Sequence, residues 1–457
     1  MISASPLAAS AVNSLRRLAV FATIASSLLL AACGGGGGGG NGSATLRAIN
    51  LTTDLPSADL YTGTTKVFSG LTTDTLVSPT TLEANTYTVN VNAAGDSAAI
   101  FTGSYSLSKD QTYTAIIWGR QSSLRVSTIG EAEDTNNIAD GNTRIRMFNA
   151  TLDSGTVDIY VTTADVDPAD VSPTQSGLTS GTLGGFRELT AKTYRIRVTG
   201  TGDPADVRLD IPSVTLAAKT YYTLAITEAG EGGVLLNGTL IAQQGAKTTV
   251  KNTNARMRVA ASVGNFGLVS AKVGTQTLVS NWRSPKVGLS AGDYIQVPAG
   301  ATSVTVSVNG TVQPAVPTTL TAGSDYTLMV LGTAAAPVAK LITDDNRVPN
   351  VASRAKVRIV NGLSSAATVA GYVTGASNSS TKDAASGAAS DYVSVLASGT
   401  TSVQGLSSDA FDPIFSQTVT VSGTSLLAAQ GVYSIFILDG QVTNGVAVPV
   451  GRLVKDR

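Results

Sequence analysis

The chain has 457 residues, sets 31 basic against 31 acidic side chains, and contains no histidine and one cysteine. The even balance disfavours a nucleic-acid partner, because phosphate backbones are met by a basic surplus. Without histidine there is no Ser-His-Asp or Cys-His catalysis and no imidazole metal site, and a lone cysteine forms no internal disulfide; chemistry by carboxylates, Lys, Tyr or Ser-Lys pairs stays open, but neither an enzyme nor a cofactor is the expectation.

The first predicted element is a leader over 1–32. Arg16 and Arg17 precede an apolar run of 13 residues, Leu18 to Leu30, too short to span a bilayer, and the small Ala31 and Ala32 follow. Leu30-Ala31-Ala32-Cys33 resembles the lipobox of bacterial lipoproteins. That resemblance implies cleavage before Cys33, lipidation of Cys33 and a membrane partner held through that anchor. Gly34, where an aspartate would favour inner-membrane retention, implies outer-membrane sorting, with the folded part on the periplasmic or cell-surface side. Residues 33–43 then form a tether, because the seven glycines Gly34 to Gly40 leave the backbone unrestricted.

After the tether a strand pattern recurs as Thr45–Asn50, Arg144–Asn149, Arg256–Ala261 and Lys356–Asn361, with starts 99, 112 and 100 residues apart. Basic and apolar residues alternate, which predicts strands with one face wet and one buried. At a constant offset come Asp59, Asp158, Ser270 and Ala370, then Tyr61, Tyr160, Lys272 and Tyr372, on second strands. Leu107, Leu216, Leu320 and Leu427 each precede a tyrosine by six residues: Tyr113, Tyr222, Tyr326 and Tyr433. This spacing is similar to the tyrosine corner of immunoglobulin-like sandwiches, whose hydroxyl bonds to backbone a few residues upstream. An earlier set of tyrosines slips in register, which places Tyr294 and Tyr392 one strand earlier than Tyr87 and Tyr194. Helical periodicity is scarce, while Thr, Val, Ile and Tyr crowd short segments between turn residues. The expected fold is all-β: four tandem immunoglobulin-like β-sandwich domains over 44–142, 143–253, 254–353 and 354–457.

The order Arg-x-apolar-apolar-Asn, then Val157-Asp158-Ile159-Tyr160-Val161, then Leu-x5-Tyr-Thr resembles the bacterial domain of unknown function 4397 family. Many members carry histidine where Asn50 and Asn149 stand, so a role tied to it does not transfer. The resemblance, best in the first two repeats and extending over 44–457, implies an exported, often tandem β module and no established reaction.

Candidate sites each have a bland reading beside the functional one. Asp165, Asp167 and Asp170, the group Glu131, Glu133, Asp134 and Asp140, and Asp344-Asp345-Asn346 could supply calcium with oxygens, or be solvated loop carboxylates. Ser379-Ser380-Thr381-Lys382 fits Ser-x-x-Lys, but lies in a small-residue loop without a partner motif. Arg144 with Arg146, and Arg256 with Arg258, could face an acidic glycan or lipopolysaccharide phosphate, or guard an exposed strand against edge pairing. Trp118 reads as core, and Trp282 as a surface loop residue able to stack on sugar. The function expected from these features is a lipid-anchored envelope spacer, adhesion or binding protein without catalysis. The alternative is an accessory protein that binds envelope polysaccharide, with a glycan or a protein as ligand.

Overall fold

Alternating apolar residues give short strands throughout the computed structural model, which describes residues 42–288, 291–365, 367–419, 424–444 and 446–457. The first eight strands are β1 (Ser43–Asn50), β2 (Ser57–Thr62), β3 (Thr65–Thr72), β4 (Thr80–Glu83), β5 (Asn85–Ala93), β6 (Ala99–Leu107), β7 (Thr112–Arg120) and β8 (Ser123–Gly130). They make two sheets, ordered β4-β1-β7-β8 and β3-β2-β5-β6. β1 and β7 run parallel, with Arg47 opposite Thr114, while the other pairings are antiparallel. Immunoglobulin sheets are ordered ABED and CFG, so this connectivity differs from theirs. The same connectivity returns three times, with first strands beginning at Asn142, Asn254 and Arg354.

Eight sheets among the described residues enclose four interior clusters, each walled by two sheets. The architecture is all-β, multi-sheet and sandwich-like. The tyrosine spacing produces one contact four times. The backbone N–H groups of Ser108, Ala217, Thr321 and Ala428 donate to the hydroxyls of Tyr113, Tyr222, Tyr326 and Tyr433, at 3.2, 3.2, 3.0 and 2.8 Å. Each bond ties the turn before a central strand to that strand. Asn50, Asn149 and Asn361 are buried and each donates to two carbonyls, pinning the loop after the first strand. These asparagines are structural stitches: a buried amide must find such partners.

The two sheets of a sandwich differ in kind. β5 and β6 alternate buried with exposed residues, as a sheet with one solvated face does. β7 is buried almost throughout, because both its faces are covered. Ala115 and Ile117 join the sandwich core. Ile116 and Trp118 join a second cluster with Ile49 from β1 and with Phe148, Ala225 and Ile241 from the next sandwich. The third and fourth sandwiches share an equivalent cluster of Ala260, Met329, Val360, Phe436 and Leu438. The sandwiches are therefore joined in pairs, first with second and third with fourth. The segment after Asp344 adds a link across the pairs: Arg347 pairs with Glu231 at 3.1 Å, and the Val348 N–H donates to Asp153 at 2.8 Å.

Candidate functional site

Of the arginines read as facing solvent or an acidic ligand, Arg146 and Arg258 instead reach into the seam between paired sandwiches. Arg47, Arg146, Arg258 and Arg358 occupy equivalent positions. Each donates its Nε to the hydroxyl opposite it on the parallel strand, Thr114, Thr223, Thr327 or Ser434, at 2.9 to 3.0 Å. Each then reaches into the neighbouring sandwich. Arg146 Nη2 donates to Gly130 O, and Arg47 donates to Ala242 O and Gly245 O. In the other pair Arg258 binds Asp456 at 2.5 Å and Arg358 binds Asp344. The exchange is reciprocal, so each pair is closed by two crossed arginines. Arg144 and Arg256 are spent locally, on Glu188 at 2.8 Å and on Asp325 at 2.5 Å. The alternation misled because the face opposite the core meets protein rather than water.

Three crossed arginines stack on an aromatic ring: Arg146 on Phe186 at 4.4 Å, Arg258 on Tyr294 at 4.7 Å and Arg358 on Tyr392 at 4.8 Å. Tyr294 and Tyr392 lie just before the strands Ile295–Pro298 and Val393–Leu396, outside any strand, whereas Tyr87 and Tyr194 lie within theirs. Burial alone would raise the Asp344 carboxyl, but the Arg358 and Arg258 guanidiniums outweigh it and hold it below the ordinary carboxylate range. Burial likewise pushes the Tyr294 and Tyr392 hydroxyls well above theirs.

The remaining sequence candidates scatter. Cys33 lies outside the described residues. Among the described residues, no three acidic groups come together in a way that could hold a metal ion. Glu131 is tied to Arg47 at 2.6 Å, Asp140 to Lys219 at 2.8 Å, and Asp345 to Arg347 at 2.9 Å. Asp134 and Asp167 accept from Asn136 N–H and Ala169 N–H at the starts of short 3-10 turns. Asp165 and Asp170 are exposed, as is Glu133. Ser379 and Ser380 form a short strand, and Lys382 turns to Asp391 at 3.3 Å, so the Ser-x-x-Lys geometry is absent there. Trp118 is buried at the first interface, edge-on to Phe148 with centroids 5.8 Å apart. Trp282 corrects its loop assignment: it lies in the strand Gln276–Arg283, is packed against the third core, and carries Lys286 over its ring at 4.4 Å.

The described surface offers another site, on the outer face of the second sheet of the fourth sandwich. Strands Val369–Gly375 and Thr400–Ser407 pair with Tyr372 opposite Gln404 and Ala370 opposite Leu406, while Ser380 flanks Tyr372 on the other side. In Val369–Gly375 the residues at even positions leave the core, so Ala370 and Tyr372 share the outward face. Phe411, 72% exposed and at φ 55°, rises from the adjoining turn. Together with Asp383 and Pro413 these residues border a recess of about 570 Å³, within the range of small-ligand sites. It combines aromatic and aliphatic surface with an amide, hydroxyls and a carboxylate. Sequence reading marked Tyr372 only as a repeat position and passed over Phe411. A phenylalanine inside Ser408-Asp409-Ala410-Phe411-Asp412-Pro413 was the available signal.

The model of the DUF4397 family, described as a domain of unknown function, matches residues 44–160 and 285–372, less than half of the chain. Residues 161–284 and 373–457 are outside those matches, so the likeness is less extensive than the repeats implied. No curated protein matches the chain. Similar solved structures include a family 26 carbohydrate-binding module of Eubacterium rectale Amy13K in complex with maltoheptaose (16% identity, 46% of this chain and 96% of that one, TM-score 0.15). Family 41 carbohydrate-binding modules from streptococcal virulence factors also match (13% identity, 40% and 92%, TM-score 0.14), as does the Bacillus anthracis TIE protein (8% identity, 85% and 69%, TM-score 0.14). At these scores the likeness carries no inference about ligand or activity.

Proposed function

We propose that the chain is a non-catalytic binding protein of the bacterial envelope, and that the fourth sandwich holds a neutral polysaccharide on the face bearing Tyr372 and Phe411. The observation that carries this reading is the exposed ring of Phe411 beside an outward tyrosine and amide on a sheet face. A sugar offers an apolar ring face and equatorial hydroxyls; aromatic surface takes the first and planar polar groups the second. Retention of the whole chain in gels containing soluble neutral glucans and mannans tests it. Tyr372→Ala and Phe411→Ala are each expected to weaken retention about tenfold, the size of a hot-spot truncation. Retention unchanged in both variants would overturn the reading.

The same proposal includes four tandem β-sandwiches after a signal peptide, and an outer-membrane anchor at lipidated Cys33. Support for the anchor is the lipobox-like sequence alone. A fatty-acid probe fed to cells is expected to label the wild type and not Cys33→Ser; equal labelling of both removes the anchor from the proposal. A second reading, a spacer that sets a distance from the membrane, is favoured by the crossed arginines, which couple neighbouring sandwiches where free linkers would let them swing.

A further inference from the structure

A cleft of about 510 Å³ opens where the third and fourth sandwiches meet, bordered by Phe266, Arg283, Gln441, Val448, Val450 and Arg452. Two of these side chains are exposed arginines, and no carboxylate borders the cleft. Among the described residues neither arginine makes an ion pair: Arg283 lies over the Phe266 ring at 4.5 Å, and Arg452 donates only to its neighbour's carbonyl, at 2.9 Å. The crossed arginines of the interfaces are consumed by protein acceptors, whereas Arg283 and Arg452 both present their guanidiniums to one cleft.

The fold explains why the pair is held there. Val448, Val450, Arg452 and Val454 share one face of the strand Val446–Lys455. Val454 is part of the buried interface between the two sandwiches, so the residues before it emerge at the rim of that interface. On the other wall, Asn265 and Phe266 both adopt positive φ, 56° and 58°, and the Asn265 N–H donates to Gly440 O at 3.2 Å. That turn is thereby tied to the fourth sandwich and presents the Phe266 ring beneath Arg283. A guanidinium stacked on a ring keeps its planar fork of donors free, which suits a carboxylate.

We infer that this cleft binds an acidic saccharide, a chain of uronate sugars whose carboxylates meet Arg283 and Arg452 while ring faces lie on Val448 and Val450. Val448, Val450 and Arg452 line the cleft with alternate side chains of one strand face, so a ligand seated there meets charge and apolar surface together. The inference goes beyond the neutral-glycan reading of the fourth sandwich and does not depend on it.

Calorimetric titration of the whole chain with hexagalacturonate tests it, with cellohexaose and hexaglutamate as neutral and peptide comparisons. Hexagalacturonate is expected to bind, with affinity that falls on adding salt and falls about tenfold or more in the Arg283→Gln/Arg452→Gln double variant. Both side chains are exposed, so that variant should melt with the wild type. Binding should survive Tyr372→Ala, which separates this site from the other. No heat with hexagalacturonate, equal affinity in the double variant, or equal or tighter binding of hexaglutamate would each overturn the inference.

Discussion

Arg258→Met is expected to destabilise the third–fourth pair by about 3–5 kcal/mol, the cost of leaving a buried charge without its partner. Arg258 is fully buried, bonded to Thr327 at 2.9 Å and to Asp456 at 2.5 Å, and stacked on Tyr294 and Phe436. Its removal leaves the buried Asp456 carboxylate without its guanidinium partner, accepting from the Ser434 hydroxyl at 2.5 Å. The double variant Arg258→Met/Asp456→Leu removes both charges and should recover much of the loss, since a packed apolar pair often matches a buried ion pair. Trp282 belongs to the third sandwich and Trp118 to the first interface. Guanidinium unfolding followed by fluorescence in a Trp118→Phe background therefore reports the affected pair. A single-variant loss below about 1 kcal/mol, as for a surface pair, would show that the crossed arginines do not hold the sandwiches together.

Glu228→Gln is expected to remove a pH dependence that amounts to about 3 kcal/mol between pH 4.5 and 7. Burial, reinforced by the nearby Asp153 charge, raises the Glu228 carboxyl to about 7 from an ordinary value of 4.5. The folded protein thus keeps a proton that the unfolded chain releases. This contribution is complete below pH 4.5, declines as pH rises, and is gone above 7. Asp153, whose carboxyl burial also raises, adds a slope of the same sign in both proteins, so the difference between them isolates Glu228. Glutamine keeps an oxygen for the N–H groups of Leu152 and Asp153, which Glu228 now accepts. Denaturation midpoints at pH 5 and pH 8, read from Trp118, should fall more in the wild type than in the variant. Equal falls would mean that Glu228 is ionised in the fold at both values.

Local chemistry made much of this fold legible. The Leu-x5-Tyr spacing encodes a bond between a turn and the strand that follows it, and all its atoms lie within six residues. The interfaces were harder to see. Arg146 between Ile145 and Met147 has the period of a half-exposed strand, and period alone does not say whether the second face meets water or another sheet. The contrary sign was in Tyr113-Thr114-Ala115-Ile116-Ile117-Trp118, which is apolar on both faces and so demands cover on both. The proposed glycan face and the arginine-lined cleft were invisible for a different reason. Tyr372, Gln404 and Phe411 come from separate segments, and Arg283 meets Arg452 across two sandwiches, so only the pairing of distant strands brings either set together. Trp282 was misplaced because Asn281-Trp282-Arg283 resembles a polar turn although it ends a strand.

The crossed arginines also bear on how such a chain can change length over generations. A deletion that removes one sandwich leaves its former mate with an apolar strip and an unmatched cation turned to water, a surface prone to stick to other molecules. Loss or duplication of a whole pair leaves every arginine-crossed seam closed and touches only the link made by Arg347 and Val348. Viable relatives should therefore grow and shrink in even steps.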